Sequence, residues 1–183
     1  ITINHILAIQ AELERNSAGF RKLPGTALKD GAGQTVYTPP QNPDTIVELM
    51  GDLERFINDD QVFDADPLIK MALLHYQFES IHPFYDGNGR TGRILNVLYL
   101  VQQGLLDTPV LYLSRHIVRT KADYYRLLQS TRDADTWEDW VLYMLVPSSN
   151  VPGKAWLSWR RSGPPCSMSS TASVASTASI ART

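Results

Sequence analysis

The chain is poor in cysteine, in long apolar runs and, at its C-terminal end, in acidic residues. Its single cysteine, Cys166, excludes an internal disulfide framework and is typical of a reducing compartment. The longest regular apolar run, from Ile94 to Val101, contains Asn96 and is far too short to cross a bilayer. The sequence therefore predicts a cytoplasmic protein that does not enter a membrane.

Charge and composition change near position 147. All 19 acidic residues precede this position, together with 13 of the 17 basic ones, so residues 1–146 are acidic overall. This argues against general nucleic-acid binding. Residues 147–183 contain ten serines and no acid, without apolar periodicity. We therefore predict one domain over residues 1–146, and a tail over 147–183 that is disordered or foreign to the domain. Because the chain starts at Ile1 without methionine or a signal-peptide pattern, we expect further residues upstream.

Apolar periodicity and breaker residues predict a mostly α fold with six or so helices and one β-hairpin. Pro-Gly, Gly-x-Gly and Pro-Pro signals flank a short β-prone run, which predicts a hairpin or flap at about residues 28–40. Asp66 and Pro67 form a typical helix start. On the helix after residue 88 we expect Ile94, Leu95, Leu98 and Val101 to face the core. Predicted helices begin near Ile3, cover 43–58, 67–82, 88–103 and 121–132, and start again near Trp137.

The most informative stretch is His82-Pro-Phe-Tyr-Asp-Gly-Asn-Gly-Arg-Thr-Gly-Arg93, here called the signature loop. Glycines that bare backbone N–H groups at a helix N-terminus form a site for phosphate. Arg90 and Arg93 add fork-shaped donors, although two cations at a helix N-terminus are unfavourable without an anion. Asp86 among these groups needs a cation such as Mg²⁺. The alternative for the arginines is pairing with acids such as Glu79 or Asp86.

This string resembles the signature of the Fic family, His-Pro-Phe-x-Asp/Glu-Gly-Asn-Gly-Arg-x-x-Arg, at every specified position. The lead-in 72–81 and segments 111–114, 124–128 and 137–140 are also similar to Fic sequences. The resemblance covers roughly residues 1–146. It implies the Fic fold and a protein adenylyltransferase that uses Mg²⁺ and takes ATP as its substrate.

The resemblance assigns roles to single residues. His82 becomes the catalytic base that deprotonates a Ser, Thr or Tyr hydroxyl of a protein target, and Asp86 the metal ligand. Asn88 would add its amide to the anion-holding turn, and Phe84 would anchor the loop in the core. Tyr124 and Tyr125 match a pair near the nucleotide base, although only one of two adjacent helical residues should face the pocket. The predicted nucleotide-binding set is Asp86, Gly87, Asn88, Gly89, Arg90, Thr91, Gly92, Arg93, Tyr124 and Tyr125.

The hairpin of residues 28–40 occupies the position of the family's flap, which holds the target segment by strand addition. A surface hairpin without a partner is the alternative. His75 and Glu79 are expected to support the active-site helix. Automodification is possible. The predicted target-binding residues of the flap are Gln34, Thr35, Val36, Tyr37 and Thr38.

Two other functions stay open at this point. One is removal of AMP, or transfer of another nucleotide or phosphate, by the same loop. The other is a non-catalytic nucleotide-binding module, against which the intact His82 and Asp86 argue. Relatives often carry an inhibitory helix with the pattern Ser/Thr-x-x-x-Glu-Gly/Asn. None of the six glutamates here is followed by Gly or Asn, so we expect Arg93 to be free of an inhibitory glutamate of this chain.

Overall fold

The computed structural model describes residues 1–107 and 113–145. Within these ranges the chain forms seven α-helices and one two-stranded antiparallel sheet, which confirms the mostly α prediction. The predicted tail of residues 147–183 lies outside the described residues. The elements are α1 (Ile3–Glu14), β1 (Leu28–Lys29), β2 (Thr35–Tyr37), α2 (Pro43–Asn58), α3 (Pro67–Ile81), α4 (Asn88–Gln102), α5 (Leu113–Arg119), α6 (Lys121–Ala134) and α7 (Trp137–Leu145).

Helix α3 forms the centre of the fold. Thirteen of its 15 residues are buried, as expected of a helix that other helices enclose on every side. Helices α2, α4 and α7 pack around it, and the indole N–H of Trp140 on α7 donates to the Ala72 carbonyl at 2.8 Å. Because α3 ends at Ile81 and α4 begins at Asn88, the signature loop lies between two well-packed helices.

Local signals set the ends of α3. The Asp66 carboxylate accepts a hydrogen bond from the Leu68 N–H at 2.8 Å, and Pro67 occupies the first turn, so the predicted start is confirmed. The helix stops at His82, whose left-handed backbone has a φ of 49°. Pro83 follows and cannot continue the helical hydrogen bonds.

The core-facing side of α4 differs from the prediction. Val101 is 37% exposed, and Ile94 and Leu98 are only half-buried. Of the four predicted residues only Leu95 is fully buried, and the buried face instead includes Gly92, Asn96, Tyr99 and Leu100. The loop between α3 and α4 sets the rotation of α4 about its own axis. As a result, a face of α4 that includes polar and small residues packs against the core. Apolar periodicity could not detect that rotation.

The predicted flap is an antiparallel hairpin of two very short strands. Leu28 pairs with Tyr37 and Lys29 with Thr35, with an irregularity between the two pairs. At the turn the Asp30 carboxylate accepts hydrogen bonds from the N–H groups of Ala32 and Gln34, both at 2.9 Å. Across the described parts of the chain, none of the helices combines the length and apolar character needed to span a bilayer.

Candidate active site

Phe84 anchors the signature loop in the core, as the sequence predicted. Its side chain is fully buried and packs against Phe20 and Phe78, with ring centroids 5.4 and 6.3 Å away. Full burial of an aromatic ring contributes about 1.5–3 kcal/mol of transfer free energy. The middle of the loop is therefore fixed to the hydrophobic core.

Asn88 holds the loop from the other side. Its carboxamide oxygen accepts from the Phe84 N–H at 2.9 Å, and its amide nitrogen donates to the Phe84 carbonyl at 2.8 Å. The residue is 3% exposed. We had expected this amide to contact phosphate, but the structure uses both of its ends to fix the backbone. Asn88 can still offer its own N–H group to a ligand.

Arg21, which the sequence did not single out, ties the loop to the base of the flap. The side chain is buried and donates to the carbonyls of His82 at 2.8 Å, Pro40 and Ile81. Its own N–H donates to the Pro83 carbonyl at 2.8 Å. Burial lowers the pKa of this guanidinium. In the sequence, Arg21 is a single arginine in a segment without helix or strand, and such a residue does not by itself indicate a role in a site.

His82 lies at the junction of α3 and the loop. Burial, and to a smaller extent the neighbouring Arg21, lower the pKa of its imidazole to about 4, although the Glu79 backbone near the ring acts to raise it. Nδ1 is buried and has no partner with hydrogen-bond geometry in the described structure. The lowered pKa keeps the ring neutral at pH 7, which is the state that a proton acceptor requires.

Asp86 is placed at the surface of the loop. Its side chain is 82% exposed and accepts a hydrogen bond from the Gly87 N–H at 2.6 Å. Among the described residues no group of three or more His, Cys, Asp or Glu side chains could hold a metal ion. One accessible carboxylate fits Mg²⁺, which often takes its other ligands from water and substrate phosphates.

Gly87 is the loop glycine that the backbone requires. Its φ is +83°, and a Cβ at this position would lie 2.5 Å from Oε1 of Glu14. Gly89 has no positive φ, and a Cβ there would lie 3.2 Å from the Nη1 of Arg93 and 3.9 Å from Oε1 of Glu79. The tight turn is therefore at Gly87, whereas at Gly89 the absent side chain leaves room for a guanidinium.

The two signature arginines have different surroundings. Arg90 forms an ion pair with Glu14 on α1 at 2.6 Å and faces Asp86 at 3.7 Å. Arg93 donates through Nε to the Ser114 hydroxyl at 3.1 Å. Within the described ranges no carboxylate oxygen lies within 4.0 Å of an Arg93 nitrogen. The alternative of pairing with acids thus applies to Arg90, and its partner Glu14 was missed because α1 is remote in sequence.

Three residues of the predicted nucleotide-binding set are buried in the structure, and a fourth is exposed. Thr91 is fully buried, and Gly92 is buried against α3, where a Cβ would lie 2.9 Å from Glu79 Oε1. Both lie on the side of α4 that also buries Asn88, Leu95 and Asn96. Tyr124 is 4% exposed and its hydroxyl hydrogen-bonds to the His75 ring at 2.9 Å, so it packs in the core. Tyr125 is 56% exposed, in line with one of the two tyrosines facing out.

Four of the five predicted flap residues have exposed side chains in the structure, and one is half-buried. Gln34, Thr35, Val36 and Thr38 are exposed. Tyr37 is half-buried: its hydroxyl donates to the Ser80 carbonyl at 2.9 Å, and the Arg132 guanidinium lies over its ring at 3.9 Å. Tyr37 therefore fastens the flap next to the end of α3.

Comparison with known proteins decides the family. The profile of the Fic/DOC family matches residues 1–100, more than half of the chain. The chain belongs to the Fic/DOC family. The Fic fold follows, with the loop of residues 82–93 joining its two central helices.

The curated relatives that this Fic chain resembles include enzymes named for nucleotide transfer. Protein adenylyltransferase fic-1 from Caenorhabditis elegans is 36% identical over 89 residues, which are 49% of this chain and 16% of the relative. Protein adenylyltransferase Fic from Aedes aegypti is 35% identical over 96 residues, 52% of this chain and 18% of the relative. The matched segment spans less than a fifth of the length of either relative.

Solved structures agree on the fold. A Fic family protein from Desulfovibrio desulfuricans G20 has a TM-score of 0.69 at 26% identity, over 90% of this chain and 49% of that one. Fic-1 from C. elegans has a TM-score of 0.62 at 24% identity, over 89% of this chain and 45% of that one. The likeness extends over nearly the whole Fic chain.

Proposed function

We propose that this Fic domain transfers AMP from Mg²⁺-bound ATP to a Ser, Thr or Tyr hydroxyl of a protein and releases pyrophosphate. The observation that carries the proposal is the neutral, half-buried imidazole of His82 in the loop that leads to the glycine-rich start of α4. Arg93, on the same helix, forms no ion pair with an acid among the described residues. The names of the curated relatives, protein adenylyltransferase, support the same reaction.

His82 takes the proton in this reaction. The target hydroxyl loses its proton to the imidazole as its oxygen forms a bond to the α-phosphorus. The bond from that phosphorus to the α–β bridging oxygen breaks, and pyrophosphate leaves with the electron pair. Burial keeps the free ring neutral, and a polyphosphate nearby would raise its pKa because an anion favours the imidazolium form.

The start of α4 would hold the phosphates. The first N–H groups of a helix have no partners within the helix, and here they include those of Asn88, Gly89 and Arg90. Asp86 would be the protein's ligand to Mg²⁺, which when bound neutralises phosphate charge. Arg93 would add its guanidinium to the polyphosphate. Arg90, already paired with Glu14 and facing Asp86, would position that carboxylate rather than contact phosphate.

The flap would hold the protein target. Among residues 1–107 and 113–145, strand β2 pairs only with β1 and along one edge, and we propose that its other edge receives the added strand. Tyr37 fastens β2 beside the end of α3, and this would bring a hydroxyl of the added segment towards His82. A second copy of the chain could supply that segment, which would appear as automodification.

Two labels on ATP test the proposal. With ³²P in the α position, label should appear covalently on protein, and with ³²P in the γ position it should not. His82→Ala is the matched control and should abolish labelling while nucleotide still binds. Label from the γ position alone would indicate phosphate transfer instead. Nucleotide that binds but never becomes covalent, with every candidate target tried, would favour the binding module.

A further inference from the structure

Glu79 lies directly beneath the signature loop, although no catalytic step uses it. It is on the last turn of α3 and is 8% exposed. A Cβ on Gly92 would lie 2.9 Å from its Oε1, and a Cβ on Gly89 would lie 3.9 Å from the same atom. The two glycines therefore leave the space that the carboxyl group occupies against the first turn of α4.

This carboxyl has no close partner in the described structure. Oε1 is buried and accepts no hydrogen bond, and no arginine or lysine nitrogen lies within 4.0 Å of it. Burial raises the pKa of Glu79 to about 7, even though Arg93 and Arg132 act to lower it. A buried acid without a hydrogen-bonded partner is costly when ionised.

The other ionisable groups around Glu79 are neutral. His75 lies one turn earlier on α3, and burial lowers its pKa to about 3. Tyr124 from α6 faces the same region, and burial raises its pKa well above the usual value. The charged groups that act on Glu79 are therefore Arg93 from α4 and Arg132 from α6.

The side chains of Arg93 and Glu79 both lie next to Gly89. The position of a Gly89 Cβ is 3.2 Å from Arg93 Nη1 and 3.9 Å from Glu79 Oε1. In the part of the chain that the structure describes, the hydrogen bond of Arg93 is a neutral one, from Nε to the Ser114 hydroxyl, so its outer nitrogens can turn towards an anion. One guanidinium can therefore serve either an ionised Glu79 or a polyphosphate.

We propose that Glu79 is a positioning residue of the nucleotide site: as a neutral acid it leaves Arg93 to the polyphosphate, and as a carboxylate it competes for Arg93 and repels the ligand. This inference rests on the proposed nucleotide binding at the loop. It requires that nucleotide binding be accompanied by uptake of a proton at Glu79. By linkage, affinity then decreases as the pH rises through the pKa of Glu79 in the free protein.

The first test measures the affinity of the chain for Mg²⁺ and an ATP analogue with a methylene group between the α- and β-phosphates. From about pH 6 to about pH 8.5, wild-type affinity should fall about five- to tenfold, a size typical of coupled sites. Glu79→Gln should bind with one affinity across this range, close to that of the wild type at low pH. Glu138→Gln, an exposed change on α7, is the matched control and should behave as wild type.

Calorimetry near pH 7 in two buffers of different ionisation enthalpy should detect a larger proton uptake in the wild type than in Glu79→Gln, where any remaining uptake is that of His82. Equal pH slopes in the two proteins would overturn the proposal. If Glu79→Gln does not fold, ¹³C NMR of the wild-type carboxyl replaces it, and the pKa of Glu79 should rise when the analogue binds. An unchanged pKa would also overturn it. Wild-type binding that is tight at every pH would refute the role of Glu79 alone, whereas absence of binding at any pH would refute the proposed function as well.

Discussion

The signature loop, which begins at His82, and the flap, which is fastened next to it at Ser80, are held in different ways. Buried groups fix the loop: Phe84 in the core, both ends of the Asn88 amide, and the Arg21 guanidinium on its carbonyls. The flap has two short strands with exposed side chains, fastened mainly through Tyr37. The loop, whose groups must keep fixed positions for chemistry, is thus anchored in the core. The flap, whose backbone is proposed to pair with another chain, stays accessible.

The largest expected effect concerns chemistry on the loop. Replacing His82 with Ala should lower AMP transfer by about 10²–10⁴-fold, the usual contribution of a general base. The fold should persist because the imidazole Nδ1 makes no hydrogen bond in the described structure. Initial rates with α-labelled ATP, beside a melting curve and analogue binding, measure this. Wild-type rates in the variant would remove His82 from the mechanism.

Asn88→Ala should test how firmly the loop is built. The change leaves the buried N–H and C=O groups of Phe84 without partners, at about 2–3 kcal/mol of unfolding free energy. Transfer should fall with it because the loop loses its shape. Asn96→Ala is the matched control: this asparagine is buried on the same helix, but its amide has no partner in the described structure. Equal losses in denaturant titrations of the two variants would show that Asn88 merely fills space.

Buried ionisable groups behind the loop should give stability a characteristic pH dependence. In the folded protein the pKa values of His75 and His82 are about 3 and 4, against 6.5 for an ordinary histidine. Below pH 6.5 the unfolded chain therefore binds more protons than the folded chain. Their contribution to stability is present above pH 6.5 and is lost as the pH falls towards 4. Glu79 acts oppositely: with a folded pKa of about 7, its contribution is present below 4.5 and is lost as the pH rises through 7.

Between pH 4.5 and 6.5 the unfolded wild-type chain should bind about one proton more than the folded chain, and unfolded Glu79→Gln about two more. This difference sets the slope of the unfolding free energy against pH. Unfolding free energy should therefore rise with pH in both proteins, more steeply in the variant. Chemical denaturation at several pH values measures it. Parallel curves would show that Glu79 titrates normally.

The smallest effect is expected on the flap. Tyr37→Phe removes the hydrogen bond to the Ser80 carbonyl but keeps the ring under Arg132, at a cost of about 1 kcal/mol or less. Hydrogen exchange of flap amides should accelerate while loop amides stay protected. Tyr125→Phe, at an exposed position, is the matched control and should change neither. Faster exchange in the loop as well would mean that the flap and the loop open together, and that the two are not held independently.

The sequence predicted most elements because their signals are local. Asp66 and Pro67 start α3, and Pro83 ends it, through contacts between near neighbours. The flap was readable from its glycines and prolines. The tilt of α4 was not, because the rotation of a helix depends on what packs against it, and Asn96 rather than Val101 turned inward. For the same reason the sequence did not show that Thr91 and Gly92 of the signature loop are buried.

By itself the sequence determined the family, the mostly α fold and the loop that carries His82, since these follow from contiguous residues and local periodicity. Only the tertiary structure decided what each charge does. It paired Arg90 with Glu14 from α1, left Arg93 without an acid among the described residues, and brought Arg21 onto the loop carbonyls. The reason is physical: charge pairing and burial depend on distances of a few ångströms between segments far apart in the chain, and no local pattern encodes them.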